Sequence, residues 1–277
     1  MILVTGATGN IGSALVKELR AFGVGPVRGL TRDIARAVFP AAVEAVEGDM
    51  ARPASLKAAL EGVRSLFLVS RLGPDAEILE AARRAGVEHV VLVSSITVQS
   101  HPHLGPAKEN LAVERLLKGS GMTWTILRPT QFASNALWWA EAIRERQSVR
   151  VPYADIGLPT IHPADIASVA RAALTEPGHG GLTYAMTGPE QITPRQQLAA
   201  IAQAVGREVP FVEISRAEAH RDMAAFLGDE AAAAVLDITG GDVNEELLSV
   251  RNTVTQVTRA PARTFAQWAG ENADSFR

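Results

Sequence analysis

The first half of the chain alternates short apolar runs with amphipathic stretches. Ile2–Thr5, Val27–Leu30, Val43–Val46, Ser65–Val69, His89–Val93 and Thr123–Leu127 read as strands. Between them, Ile11–Phe22, Ala54–Glu61, Asp75–Ala85 and Lys108–Lys118 carry the apolar spacing of helices. Runs such as Val90-Val91-Leu92-Val93 are apolar throughout, as strands are when helices cover both faces of their sheet. This alternation predicts an α/β fold with a parallel, doubly wound sheet and right-handed crossovers.

After about Arg128 the rhythm changes. A helix with adjacent tryptophans is expected from Ser134 to Arg146, then a strand, Val149–Tyr153, and a helix, Pro163–Leu174. Thr183–Met186, the helix Pro194–Val205, the strand Val209–Ile214 and two helical stretches follow, and a last helix spans Pro261–Asn272. Residues 1–130 are therefore expected to form a Rossmann-like domain, with a return segment near 154–175. Residues 131–153 and 176–277 are expected to form a smaller α+β capping region, with a ligand cleft between the two parts.

The turn after the first strand sharpens this picture. Gly6, Gly9 and Gly12 stand in a Gly-x-x-Gly-x-x-Gly spacing between a strand and a helix. That context marks a nucleotide-binding turn. Gly6 leaves the strand in a conformation that a Cβ penalises. Gly9 removes bulk where backbone meets a pyrophosphate, and Gly12 lets the helix pack on the strand. Thr8, Asn10 and Ile11 complete the turn, and the helix start turns free N–H groups and a positive dipole toward the anion. Val69 and Ser70, at the end of the fourth strand, are expected to border the same dinucleotide.

The second strand bears on which dinucleotide. No acid ends it, and Thr31-Arg32 follows Leu30, with Asp33 only afterwards. Arg32 offers a guanidinium fork to a 2′-phosphate and Thr31 a second donor, so NADPH (NADP⁺) is expected over NADH. Such a contact is worth about 1.5–3 kcal/mol. In Glu47-Gly48-Asp49-Met50, Asp49 and Met50 read either as an adenine contact or as a turn and helix cap.

Composition narrows the class. The chain has 277 residues, 47% of them hydrophobic, a formal net charge of −3 and no cysteine. Disulfides and thiolate chemistry are excluded, and no basic stripe supports nucleic-acid binding. The first strand begins at residue 1, and no apolar stretch is long enough to span a bilayer, so a soluble cytoplasmic protein with a small-molecule substrate is expected. A homodimer is compatible with the exposed-looking helices, though none is singled out.

With these residues in view, the chain resembles the NmrA-like group of atypical short-chain dehydrogenase/reductases, which includes NADPH:quinone and isoflavone-reductase-like enzymes and a redox-sensing regulator. The resemblance rests on the glycine turn, Val93-Ser94-Ser95, Glu114, Ser120-Gly121 with Thr125-Ile126-Leu127-Arg128-Pro129, Gln131-Phe132 with Asn135, Ile161–Ala167 and Tyr184–Pro189. It covers residues 1 to about 215. It implies an oxidoreductase that passes hydride from NADPH to a small planar, quinone-, aromatic- or carbonyl-type compound; the alternative it carries is a non-catalytic NADP(H) sensor.

The standard Tyr-x-x-x-Lys positions of the superfamily fall on Pro106 and Asn110, neither of which is an acid. Ser94 and Ser95 are then the candidates for bonding a substrate oxygen or the nicotinamide ribose. Lys108, His103 and Tyr153 are candidate catalytic groups, with exposed or structural roles as the plainer alternative. His101 and His103 lack a third ligand, so no metal is expected. His162 is expected to order a helix start. Gln131, Phe132, Asn135, Trp138 and Trp139 are the candidate substrate-pocket residues. Adjacent tryptophans on a helix point about 100° apart, so one can be core while the other faces the cleft.

Overall fold

The computed structural model describes residues 1–277. Seven parallel strands form the main sheet: β1 (Ile2–Val4), β2 (Val27–Thr31), β3 (Val43–Glu47), β4 (Ser65–Val69), β5 (His89–Val93), β6 (Thr123–Pro129) and β8 (Leu182–Met186). A small parallel pair joins β7 (Val149–Val151) to β9 (Phe211–Glu213). The helices are α1 (Asn10–Ala21), α2 (Lys57–Leu60), α3 (Asp75–Arg84), α4 (Thr97–Ser100), α5 (Gly105–Lys118), α6 (Ala140–Arg144) and α7 (Pro163–Thr175). After them come α8 (Pro194–Val205), α9 (Arg216–Leu227), α10 (Asp229–Leu236), α11 (Glu245–Leu248), α12 (Thr253–Thr258) and α13 (Phe265–Glu271).

The strand order β3-β2-β1-β4-β5-β6-β8 reverses direction between β1 and β4, the crevice where doubly wound sheets bind ligands. Alternate residues of each strand serve opposite faces. Val4, Phe67, Val91, Val93 and Leu127 pack with α1 and α7 on one side. Leu3, Leu66, Leu68, Val90, Leu92 and Ile126 pack with α2, α3 and α5 on the other. Both faces are dry, which explains the unbroken apolar strands.

Three details depart from the sequence expectations. β8 is the seventh strand of the main sheet, and α12 packs against α7, so parts of 176–277 belong to the larger unit. The connection from β6 to β8 runs over the α1 face, whereas the β4–β5–β6 steps in the same direction run over the α5 face. It therefore has the opposite hand, which its long excursion through β7 allows. The tryptophan helix is a 3-10 segment, Ala133–Trp139, followed by the short α6.

The capping region has its own core, in which Ala136, Ile143, Val149 and Val151 meet Leu198, Trp268 and Phe276. It is tied to α7 by Asp165, a fully buried carboxylate that accepts from the Arg263 amide and guanidinium. No helix is long and apolar enough to cross a membrane.

Candidate active site

The glycine turn is built from backbone. Gly6 sits at φ +59°, in the left-handed region. The Gly9 amide donates to Gly6 O at 2.9 Å. A Cβ on Gly12 would lie 2.2 Å from that same oxygen, so the helix can start here only with glycine. No side chain caps α1 and no acid occupies its first turn. The amides of Asn10, Ile11 and Gly12 have no acceptor within the protein. A dinucleotide pyrophosphate satisfies such amides, so the residues present fit that group. Thr8 and Asn10 are exposed beside them, while Ile11 is buried under the helix.

Arg32 is exposed and engages in no ion pair, leaving its fork free. Thr31 is different: its hydroxyl accepts from the Asp33 amide and faces the Asp33 carbonyl, so the expected second donor is spent on the turn. The Asp33 carboxylate takes the Ala35 amide. Asp49 is likewise committed, accepting from the Ala51 amide and from Arg52 Nε, both at 3.0 Å. The Ala51 amide chiefly, then Arg52 and Arg32, hold its carboxyl below the usual range. Met50 packs in the core beside Leu3 and Leu30. The turn reading thus accounts for every hydrogen bond of the Asp49 carboxylate, and the core accounts for Met50. Val69 and Ser70 end β4 beside the glycine turn, and Ser70 Oγ lies 2.8 Å from Asn110 Oδ1 and 2.9 Å from Val93 O.

Farther along the same edge of the sheet, a cavity of about 320 Å³ opens beyond β5 and β6. Ser94, Ser95 and Thr97 form its floor, and Gln131, Phe132, Asn135, Trp138 and Trp139 one wall. Trp138 is 59% exposed at the mouth, whereas Trp139 leans on the capping core. The opposite wall comes from Met223, Val235, Ile238, Thr239 and Leu247, residues of the C-terminal helices that periodicity alone had not linked to a site. The side chains of Gln131 and Asn135 make no hydrogen bond within the protein, so they are free for a ligand. Arg150 is the one ionisable residue of the lining, and its Nε pairs with Asp222 at 3.1 Å.

The serines differ in what they offer. Ser94 Oγ donates to Glu114 Oε1 at 2.7 Å, and the same carboxylate is gripped by Arg128 Nε and Nη2. Ser95 Oγ accepts from the Thr97 amide at 3.2 Å and the Thr97 hydroxyl at 2.8 Å. The two hydroxyls share that one bond, so one of their two protons has no protein acceptor and is available to the cavity, which both residues line. Glu114, one of the residues that carry the family resemblance, also stands out as a charge on the apolar stripe of α5 with Ala107, Val113 and Leu117.

The remaining candidates lie elsewhere. His103 and Lys108 are exposed and outside the cavity lining. The expectation of a cleft-facing Tyr153 fails because its ring lies against Gly240 and its hydroxyl accepts from Arg216 Nη1 at 3.1 Å. His101 is buried and its Nε2 donates to Asp242 O at 2.7 Å, tying α4 to the C-terminal segment. His162 does order a helix start, with Nδ1 accepting from the Ala164 amide.

A family profile described as NAD(P)H-binding matches residues 6–177. The (4-alkanoyl-5-oxo-2,5-dihydrofuran-3-yl)methyl phosphate reductase of Streptomyces griseus is 38% identical across 100% of this chain and 99% of its own. The NAD(P)H azoreductase of Xenophilus azovorans is 37% identical over 100% and 99%. Among solved structures, an Escherichia coli NADPH-dependent quinone oxidoreductase complexed with NADPH superposes with a TM-score of 0.79 at 26% identity, covering 98% of this chain and 99% of that one. With its glycine turn, serine pair and seven-stranded sheet in place, the chain belongs to the NAD(P)H-binding family and shares the fold and motifs of its NmrA-like atypical short-chain dehydrogenase/reductases.

Proposed function

We propose that this protein is an NADPH-dependent reductase that passes hydride to a small planar acceptor held in the cavity above Ser94 and Ser95. One observation carries the reading. The uncapped glycine turn and an apolar, tryptophan-walled cavity open on the same edge of the sheet, separated only by the end of β4. Full-length relatives that are reductases by name support it and disfavour a purely sensory role.

The nicotinamide, when bound, supplies the hydride. The chain supplies the rest. Amides of Asn10, Ile11 and Gly12 bind the pyrophosphate, and Arg32 binds the 2′-phosphate that distinguishes NADPH from NADH. Phe132, Trp138 and Trp139 give a flat apolar ligand its contact area and exclude water. Ser95, with its proton turned from Thr97 toward the cavity, donates to an acceptor oxygen and stabilises the charge that grows there as hydride arrives. Gln131 and Asn135 orient the ligand.

No carboxylic acid, histidine, lysine or tyrosine lines the cavity. The acceptors that suit it are therefore those whose reduced form is a stabilised anion, as a quinone's is, with the final proton taken from solvent. Calorimetry with the four nicotinamide cofactors, followed by NADPH oxidation with 1,4-naphthoquinone and azo compounds, tests the reading. Tight NADPH binding with saturable oxidation is the expected result. Tight NADP⁺ binding without turnover of any acceptor would replace it with the sensor.

A further inference from the structure

The Arg128–Glu114 pair fixes the hydrogen-bonding polarity of the cavity floor. Glu114 is fully buried on α5 and Arg128 projects from β6, its side chain 14% exposed. A carboxylate that takes two parallel N–H bonds from the Nε–Nη2 edge of a guanidinium has both oxygens serving as acceptors. Ser94 must therefore spend its single proton on Glu114 Oε1, and its Oγ receives no donor from the protein. Ser94, itself 7% exposed and in the cavity lining, presents a lone pair. Its neighbour has the opposite polarity: Ser95 accepts from the Thr97 amide and shares one hydroxyl–hydroxyl bond with Thr97, which leaves one proton of the pair to donate into the cavity. Adjacent hydroxyls would otherwise be interchangeable rotors that suit either kind of group.

We propose that Glu114 and Arg128 are positioning residues that make Ser94 an obligate acceptor beside the donor Ser95, so that the cavity selects acceptors whose carbonyl is flanked by an N–H or O–H donor. A 2-aminoquinone or a cyclic enaminone has that arrangement; an unsubstituted quinone satisfies Ser95 alone and leaves the Ser94 lone pair bare. The proposal rests on the cavity being the acceptor site, but not on turnover.

Binding of 2-amino-1,4-naphthoquinone and 1,4-naphthoquinone, read by quenching of the tryptophan fluorescence at the cavity wall, tests it. In the wild-type protein the amino compound binds about tenfold more tightly, as one recovered hydrogen bond implies. Ser94→Ala leaves the Glu114–Arg128 pair intact and reduces that ratio to near one. Glu114→Met, which removes the acceptor, frees the Ser94 proton and lowers the ratio in the same way, whereas Ser94→Thr, which keeps the hydroxyl, preserves it. A ratio near one in the wild type, an unaltered ratio in Ser94→Ala, or binding of neither quinone would overturn the proposal. Should the ratio behave as expected while NADPH oxidation is absent, the reductase reading fails and the polarity assignment stands.

Discussion

The glycine turn and the proposed acceptor cavity share one edge of one sheet but are made of different material. The turn is contiguous in sequence and consists of backbone: three glycines, three unsatisfied amides and a helix start, all within Gly6–Gly12. The cavity draws side chains from the segment after β5, the end of β6, the 3-10 segment, β7 and the C-terminal helices, between Ser94 and Leu247. Backbone sites tolerate almost no added atom, because each position is defined by the absence of one. Side-chain sites tolerate exchange, because neighbouring side chains can repack. The cofactor end should therefore be brittle and the acceptor end adjustable, as suits a family whose relatives act on furanone phosphates, azo compounds and quinones.

Substitutions at the two ends put that contrast under strain. The largest effect is expected at Gly12→Val, whose Cβ would sit 2.2 Å from Gly6 O. NADPH binding should be lost in calorimetry, and thermal unfolding should show a loss of about 1–3 kcal/mol from overpacking. Retained binding would mean that the turn can repack, which would erase the difference between the two regions. Ser95→Ala comes next. Loss of its donor should lower kcat/KM for a quinone about ten- to a hundredfold. The NADPH dissociation constant should stay within about threefold, because the cofactor contacts lie in the other region. Arg32→Ala should weaken NADPH about tenfold or more and leave NADH nearly as it was, abolishing the discrimination between them.

A smaller effect belongs to the joint between the regions. Burial is the main force holding His162 below its usual value of 6.5, working against Glu271, whose Oε2 lies 3.3 Å from Nε2, and Asp165. The unfolded chain then takes up this proton at a higher pH than the folded one. Folded stability from this group is present above 6.5 and is lost as pH falls below it. Melting temperatures measured from pH 8 down to pH 5 should decline in the wild type (~pH 6.5 being the usual imidazole midpoint) and less steeply in His162→Asn, whose side-chain oxygen can still cap α7. His89, also pushed down by burial, contributes to the remaining slope.

The contrast also explains what could be read in advance. The turn was legible because its chemistry depends on local spacing: a strand, three glycines and a helix within a dozen residues. Strands β1 to β6 were legible because both faces are buried and their apolar runs are unbroken. The side taken by Tyr153 is not legible, because a strand end says nothing about where a ring points; here Gly240 leaves room for the ring. A hydroxyl two residues before an aspartate suits a local turn as well as a ligand, and at Thr31 the turn wins. The place of β8 in the main sheet is hidden by the excursion from β6 that precedes it. The far wall of the cavity is not legible in the sequence, since Met223 and Val235 come to line the same cavity as Ser95 only through the packing of α9 and α10. Glu114 and Asn110 did leave a trace, as polar residues on the buried stripe of a helix.

Direct passage of hydride from NADPH to an acceptor in the cavity, without a protein acid, is read from the isotope effect on NADPH oxidation with 1,4-naphthoquinone, using cofactor deuterated at both C4 positions, across pH 6 to 9 (~a range that brackets the titration of an ordinary imidazole acid). Direct transfer predicts a normal primary effect on kcat/KM at every pH and a flat profile, because the cavity lining holds no carboxylic acid, histidine, lysine or tyrosine. A profile that breaks within that range, or oxidation with no isotope effect at any pH, would contradict it.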